Sequence, residues 1–386
     1  MKILFVLSRI PYPLEKGDKL RAYNHLRYLS KRHEIILFAL YEKEIHPKAK
    51  EELEKYCSSI CFVKLNPLSI FWNIIKAFFN KKPLQLGYFY QCSARKKLDS
   101  FVEKEKPDRI FCQLIRTASY VKNYELKKVI DYQDVLSIGM KRRMEKAAGL
   151  KSWFFRTEWK RLERYENKVF EQFDERIIIS QPDKALIPHP DKHLIHIIPN
   201  GVDFDFFQAK EVEKEYDLVF IGNMSYPPNV QAARYLVNSI LPVVRKSRPG
   251  IKVLIAGSSP HKSVRALASR QVIVSGWVDD IRDSYASAKI FVAPMQLGTG
   301  LQNKLLEAMA MGIACITSPL ANDALAAKEG EEILLGRSPE EYSWHINMLL
   351  DDKAFYEKIA ENGYQFVHKN YNWEELCDEL ERIIIS

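Results

Sequence analysis

Residues 294–312 read Pro-Met-Gln-Leu-Gly-Thr-Gly-Leu-Gln-Asn-Lys-Leu-Leu-Glu-Ala-Met-Ala-Met-Gly, and their types and spacing suit a phosphorylated sugar. The apolar run at 289–295 reads as a buried strand. Gly298 and Gly300 free the backbone of the following loop, and a helix then runs to Gly312 as its stop. A strand, a glycine loop and a helix start present backbone N–H groups at the positive end of a helix dipole, where phosphate binds. Lys304 adds a cation in the first turn. Glu307, three residues on, shares that face and can accept hydrogen bonds from sugar hydroxyls. An ATP-type phosphate loop is excluded, because it needs Gly before its Lys and Ser or Thr after it, where this chain has Asn303 and Leu305. The plain alternative is a glycine turn ahead of a core helix, with Glu307 solvated.

Elements that could position such a site recur along the chain. Short β-like runs alternate with helical patterns in two series, the mark of α/β architecture with parallel sheets. The first series takes in 2–8, 33–40, 60–65, 109–113, 128–132 and 176–180; the second takes in 216–222, 251–257, 272–276, 290–295, 314–317 and 332–335. Between them Ile-Pro-Asn-Gly-Val-Asp at 198–203 carries turn signals and marks the hinge. Parallel sheets of this kind bind ligands at the carboxyl ends of their strands, where the 298–307 loop falls. The loop after the first strand, Ser8-Arg-Ile-Pro-Tyr-Pro-Leu-Glu-Lys-Gly17, lacks Gly-x-Gly-x-x-Gly, which disfavours a dinucleotide dehydrogenase. The segment 140–175 reads as a long surface helix with one apolar face in preference to a lipid site, and 371–385 as an amphipathic helix.

The chain has 386 residues, enough for two ordinary domains, and 47% of them are hydrophobic, so it is neither disordered nor an integral membrane protein. No apolar run is long enough to span a bilayer, and the start lacks the features of a signal peptide. Six cysteines at irregular positions fit reduced, buried thiols in a cytoplasmic protein. The net charge of +9 is unevenly spread: from Lys55 to Leu98 there are eight Lys or Arg and no Asp or Glu. Inside that window the apolar and aromatic stretch 68–79 is followed by Lys81 and Lys82. Such a helix suits peripheral contact with anionic membrane through 68–82; the alternative is a core helix with a solvated basic rim. No nucleic-acid motif accompanies the charge. His189, His193 and His196 cluster locally, but Pro188 and Pro190 break the helix a ligand pair would need, so no metal site is assigned.

Together these motifs resemble the retaining GT-B glycosyltransferases of the large family four (group 1), and most nearly the bacterial sugar transferases of PEP-CTERM and exopolysaccharide loci. The resemblance rests on Gly17-Asp-Lys-x-Arg21, Asp131-x-x-Asp134, the 198–203 hinge, Gly276-Trp-Val-Asp-Asp280 and, most specifically, 298–312. It implies two Rossmann-like α/β domains facing across a cleft: an acceptor domain at 1–200, onto which the helix at 371–386 packs back, and a nucleotide-sugar donor domain at 201–370. It implies donor contacts from Gly222, Asn223, Trp277, Val278, Gly298, Thr299, Gly300, Leu301, Gln302, Asn303, Lys304 and Glu307, with Glu307 on the ribose and Trp277 and Val278 holding the base through their backbone. On the acceptor and phosphate side it implies Gly17, Asp18, Lys19, Arg21 and Asp134. Lys304, Glu307 and Asp131 are the expected catalytic residues, although Asp131 and Asp134 would serve equally as turn and capping groups.

Two positions depart from the family pattern. Its first glutamate, eight residues before Glu307, is Thr299 here, and the loop 222–229 lacks the Arg and Lys many relatives carry. Lys304 is read as the replacement phosphate cation. The implied reaction is metal-independent, needs no cofactor beyond the nucleotide-diphosphate sugar, and delivers a hexose to a lipid-linked or glycan acceptor. The implied location is the cytoplasmic face of the cell membrane. The alternatives are a catalytically degenerate membrane-surface nucleotide-sugar-binding module and a nucleotide-sugar epimerase on the same frame.

Overall fold

The structure, a computed structural model, describes residues 1–298 and 300–386, so Thr299 lies outside the described residues. The chain forms two compact units, Met1–Pro199 with Glu374–Ser386, and Asn200–Trp373.

The first unit holds a seven-stranded parallel sheet in the order β3-β2-β1-β4-β5-β6-β7. Its strands are β1 (Lys2–Leu7), β2 (Glu34–Tyr41), β3 (Ser59–Lys64), β4 (Arg109–Gln113), β5 (Lys128–Asp131), β6 (Glu175–Ile178) and β7 (His196–Ile197). Side chains alternate across a strand. In β1, Leu4 and Val6 therefore enter one core with Ile36 and Phe38, while Ile3, Phe5 and Leu7 enter the other. Both faces are covered, which is why these strands read as continuous apolar runs. The Trp373–Ile385 helix closes the second face with Leu376, Leu380, Ile383 and Ile384. Salt bridges from Lys31 to Glu374 (2.7 Å) and from Arg32 to Glu381 (2.9 Å) fix its direction.

The second unit holds a six-stranded parallel sheet in the order β10-β9-β8-β11-β12-β13. Its strands are β8 (Tyr216–Ile221), β9 (Val253–Ala256), β10 (Val272–Gly276), β11 (Ala288–Ala293), β12 (Ala314–Thr317) and β13 (Leu334–Leu335). The order reverses between β8 and β11, a topological switch point of the kind that binds ligands. Both sheets are those of Rossmann-like α/β domains, and all twelve strands expected from sequence are present.

Two expectations change. The 140–175 region is two helices, Leu136–Glu145 and Gly149–Phe170, broken where Gly149 adopts φ +57°. The buried face of the longer one includes Glu158 and Glu166 beside Leu162 and Val169. These carboxylates are interior because they satisfy the free N–H groups of neighbouring helix starts, Leu84 (2.6 Å) and Ser137 (3.0 Å). The cysteines are not uniformly buried either: Cys92 is exposed and Cys61 half-buried.

Candidate functional site

In the second unit, the loops at the carboxyl ends of β8, β9 and β10 converge on three glycines. Gly222 N–H donates to the Ala256 carbonyl (3.1 Å) and Gly257 N–H to the Gly276 carbonyl (3.0 Å). Gly257 has φ +132°, and a Cβ there would lie 1.9 Å from the Gly222 oxygen, so no side chain fits. A Cβ on Gly222 would lie 2.6 Å from Asn229 Nδ2 and 3.3 Å from Lys304 Nζ. The close approach leaves the ends of these strands lined by backbone rather than by side chains.

Lys304 reaches this cradle from the other side of the switch point. It stands in the first turn of the Asn303–Ala310 helix, which follows β11 and whose start no side chain caps. Its Nζ donates to Asn229 Oδ1 (2.5 Å) and lies 5.2 Å from the Phe220 ring centroid. Asn229 Nδ2 in turn donates to the Asn223 carbonyl (2.9 Å). Among the described residues Lys304 has no ion-pair partner. Burial lowers its pKa to about 8, with Glu307 opposing the shift. Glu307 Oε2 accepts from Tyr285 Oη (2.7 Å). Burial raises the carboxyl above its ordinary value, while Tyr285 and Lys304 pull it back. The helix ends in a Schellman turn at Gly312 (φ +67°), with Gly312 N–H to the Met309 carbonyl and Ile313 N–H to the Ala308 carbonyl.

Of the remaining expected donor residues, Thr299 lies outside the described residues. Gly298 has φ +93°, and Gln302 Nε2 donates to the Gly300 carbonyl (2.8 Å). Asn303 Oδ1 accepts from Asn200 (3.2 Å), and Leu301 packs against the domain core. Asn223 Oδ1 accepts from Ser225 N–H (2.9 Å), a local turn bond. Trp277 and Val278 follow β10, and the Trp277 ring is exposed. Asn229, Tyr285 and Gly257 escaped the sequence reading. Gly257 had a signal, the Ser258-Ser259-Pro260 turn after it; Tyr285 had none, because its partner comes from a distant part of the chain.

In the first unit two of the expected site residues are interior. Asp131 and Arg21 are fully buried and paired with each other, Arg21 Nε to Asp131 Oδ2 at 2.6 Å. Arg21 also donates to the Pro199 carbonyl (3.1 Å), and Asp131 accepts from Gln133 N–H (3.1 Å). Burial drives the Asp131 carboxyl upward, opposed by Arg21 and Gln133. These two groups hold β5, the Gly17–Leu29 helix and the end of the unit together; neither offers surface to a ligand. Gly17 opens that helix with free space around it, so its glycine answers no steric need. Asp18 binds Arg9 Nη1 (2.5 Å). Lys19 is half-buried with its pKa lowered by burial, and Asp134 is exposed on a tight turn. No group of three or more His, Cys, Asp or Glu among the described residues is placed to hold a metal.

Comparison with known proteins gives this geometry a setting. Residues 215–352 match the family model "Glycosyl transferases group 1". An uncharacterized 44.6 kDa protein in the cps region of Klebsiella pneumoniae is 22% identical over 98% of both chains. Phosphatidyl-myo-inositol mannosyltransferase of Mycobacterium tuberculosis is 31% identical over 48% of this chain and 52% of its own. Among solved structures, Anabaena HepE in complex with UDP-glucose superposes with a TM-score of 0.70 at 15% identity, covering 99% of this chain and 98% of that one. Sucrose-phosphate synthase of Thermosynechococcus elongatus gives the same score, identity and coverage. The fold is that of the GT-B glycosyltransferases, and the family match supports glycosyltransferase activity.

Proposed function

We propose that the protein transfers a sugar, with retention of anomeric configuration, from a nucleotide-diphosphate sugar to a lipid-linked or glycan acceptor in cell-surface polysaccharide synthesis. The observation that carries this reading is Lys304: a desolvated ammonium that bonds Asn229 and makes no salt bridge among the described residues, set over the glycine ends of the strands and at an uncapped helix start. An anion is what such a place lacks. The diphosphate leaving group gains charge as the anomeric bond breaks, and Lys304 with the loop N–H groups stabilises it. Glu307, oriented by Tyr285, accepts from the ribose, and the backbone after Gly276 meets the base. The departing phosphate oxygen takes the proton of the attacking hydroxyl on the same face, so neither a protein base nor a metal or cofactor is required. The acceptor belongs to the first unit. The Pro67–Phe79 helix brings that unit to an anionic membrane, its Leu68 (73%), Trp72 (59%) and Phe79 (77%) exposed beside Lys76, Lys81 and Lys82. The cps-region relative supports the polysaccharide setting, and the HepE complex makes uridine the first base to try.

The test is a thermal-shift panel of uridine, guanosine and adenosine diphosphate sugars, followed by product analysis that reads the anomeric configuration. At least one donor should raise the melting temperature and be consumed when acceptor is supplied. A panel in which no donor binds ends the reading. Thr299, at the place of the family pattern's first glutamate, favours the second reading, a binding module; it predicts a thermal shift with no turnover on any acceptor. Interconversion of a donor without acceptor would instead mark an epimerase.

A further inference from the structure

Arg116 is a largely desolvated guanidinium of the first unit with no carboxylate to answer it. It follows β4 at the start of the Ile115–Val121 helix, on a turn where Leu114 holds φ +65°, a conformation a branched side chain rarely accepts. Its guanidinium lies 5.1 Å from the Phe89 ring centroid, and its Nε donates to Gln85 Oε1 (3.0 Å). Its Nη1 and Nη2 bond to no described residue. The acids around it are engaged or distant: Asp18 is held by Arg9 (2.5 Å), Glu42 accepts from Tyr88 (2.7 Å), and Asp134 stands exposed without reaching it. Burial, with the like charge of Arg9, lowers its affinity for its own proton. Arginine offers a planar fork to an oxyanion, and stacking on Phe89 with Gln85 behind it fixes that fork in advance. Arg9 is near enough for its charge to act on Arg116, and Lys19 near enough to act with Arg9. Arg9 sits on the turn after β1, the neighbour of β4, and Lys19 in the first turn of the Gly17–Leu29 helix that follows; Gln113 Nε2 ties that helix start to the end of β4 through the Asp18 carbonyl (3.0 Å).

We propose that Arg116, with Arg9 and Lys19, forms an oxyanion subsite in the first unit that takes a phosphate of an amphiphilic acceptor. This rests on the acceptor being assigned to the first unit. The helix carrying Gln85 and Phe89, Leu84–Phe89, has the exposed aromatic helix Pro67–Phe79 against it; a Cβ on Gly87 would lie 2.6 Å from the Asn73 carbonyl oxygen. Helices packed this closely have axes about 8–10 Å apart. A phosphate on Arg116 is therefore one helix away from the face offered to lipid, a spacing suited to a headgroup whose apolar tail stays in the membrane.

Calorimetric titration of the full chain, saturated with UDP so that the donor site is filled, tests this with farnesyl diphosphate, inorganic pyrophosphate and farnesol. Farnesyl diphosphate and pyrophosphate should both bind, and farnesol at least about tenfold more weakly than its diphosphate. Arg116→Gln should weaken both phosphates about tenfold or more while leaving UDP affinity unchanged. Lys19→Gln, at a half-buried position, should weaken them about threefold and covers the case in which the Arg116 variant does not fold. Unchanged phosphate binding in both variants, or farnesol binding as tightly as its diphosphate, overturns the subsite. Absence of UDP binding by the wild-type chain would count against the transferase reading instead, and the pyrophosphate arm without UDP would still decide the subsite.

Discussion

Lys304 keeps its charge where water is scarce, and that makes its titration an assay of the donor site. With its pKa lowered to about 8, the ammonium loses its proton as pH rises through that value. A bound diphosphate favours the charged form, so UDP affinity should fall above about pH 8. The unliganded protein should respond in the opposite sense. Between about 8 and the ordinary lysine value near 10.4, the unfolded chain binds the proton more tightly, so this group adds stability as pH rises. Lys304→Met should weaken UDP about tenfold to a hundredfold at pH 7, the worth of one charge-assisted hydrogen bond, and abolish the fall above pH 8. A variant that binds UDP like the wild type would remove Lys304 from the donor site. Asp131 makes the contrasting case. Breaking its buried pair with Arg21 by Asp131→Ala should cost about 3–5 kcal/mol, read as a lowered melting temperature. Full stability with selective loss of turnover would instead assign Asp131 a catalytic role. The sequence exposed Lys304 and Glu307 because they share one helix turn, three residues apart. It hid Asn229, Tyr285 and Arg116, whose significance depends on partners tens of residues away.

At the scale of elements the strands were legible and the helices less so. A parallel strand covered on both faces must be apolar along its covered stretch, as residues 3–7 of β1, 218–221 of β8 and 290–293 of β11 are, and such runs stand out from their polar flanks. The two-residue β7 had no pattern to show. Glu158 and Glu166 misled for a physical reason: a charged residue on a helix reads as solvent-facing, and only folding reveals the N–H groups that call these two inward. Burial lifts the Glu166 carboxyl to about 7. A raised carboxyl pKa means the fold prefers the protonated form, so its contribution to stability falls as pH rises from about 4.3 through 7. Glu166→Gln keeps an acceptor for Ser137 and removes the titration. Its melting temperature should gain on the wild type between pH 5 and pH 8; a difference constant with pH would show that Glu166 does not titrate there. The Pro67–Phe79 helix is the opposite case, exposed although apolar. Sedimentation with anionic vesicles should occur at low salt, be lost at high salt, and weaken about tenfold or more with Phe71→Asp and Trp72→Asp together. Equal sedimentation by that variant would leave the exposed aromatics without a membrane role.

The whole chain is threaded so that its two units differ in what they need to fold. Residues 200–373 form one uninterrupted segment with its own sheet and its own continuous core. Its ends are paired within it, Val202 N–H donating to the Tyr371 carbonyl (2.8 Å), with Trp373 against Gly201. The first unit is discontinuous: residues 1–199 are completed by 374–386. Burying Leu376, Leu380, Ile383 and Ile384 against the Ile3-Phe5-Leu7 face contributes about 1.5–3 kcal/mol for each side chain. Together that matches the whole net stability of an ordinary domain, roughly 5–15 kcal/mol. Fragment 200–373 should therefore melt cooperatively by itself and be raised in melting temperature by UDP. Fragment 1–199 should fail to fold until 374–386 is joined to it through a flexible linker. If 1–199 alone shows a cooperative transition at the temperature of the linked form, the returning helix is an accessory and this account of the first unit is wrong. If 200–373 folds but ignores UDP, residues outside it are needed to hold the donor, and the glycine cradle with Lys304 is not sufficient as a binding site.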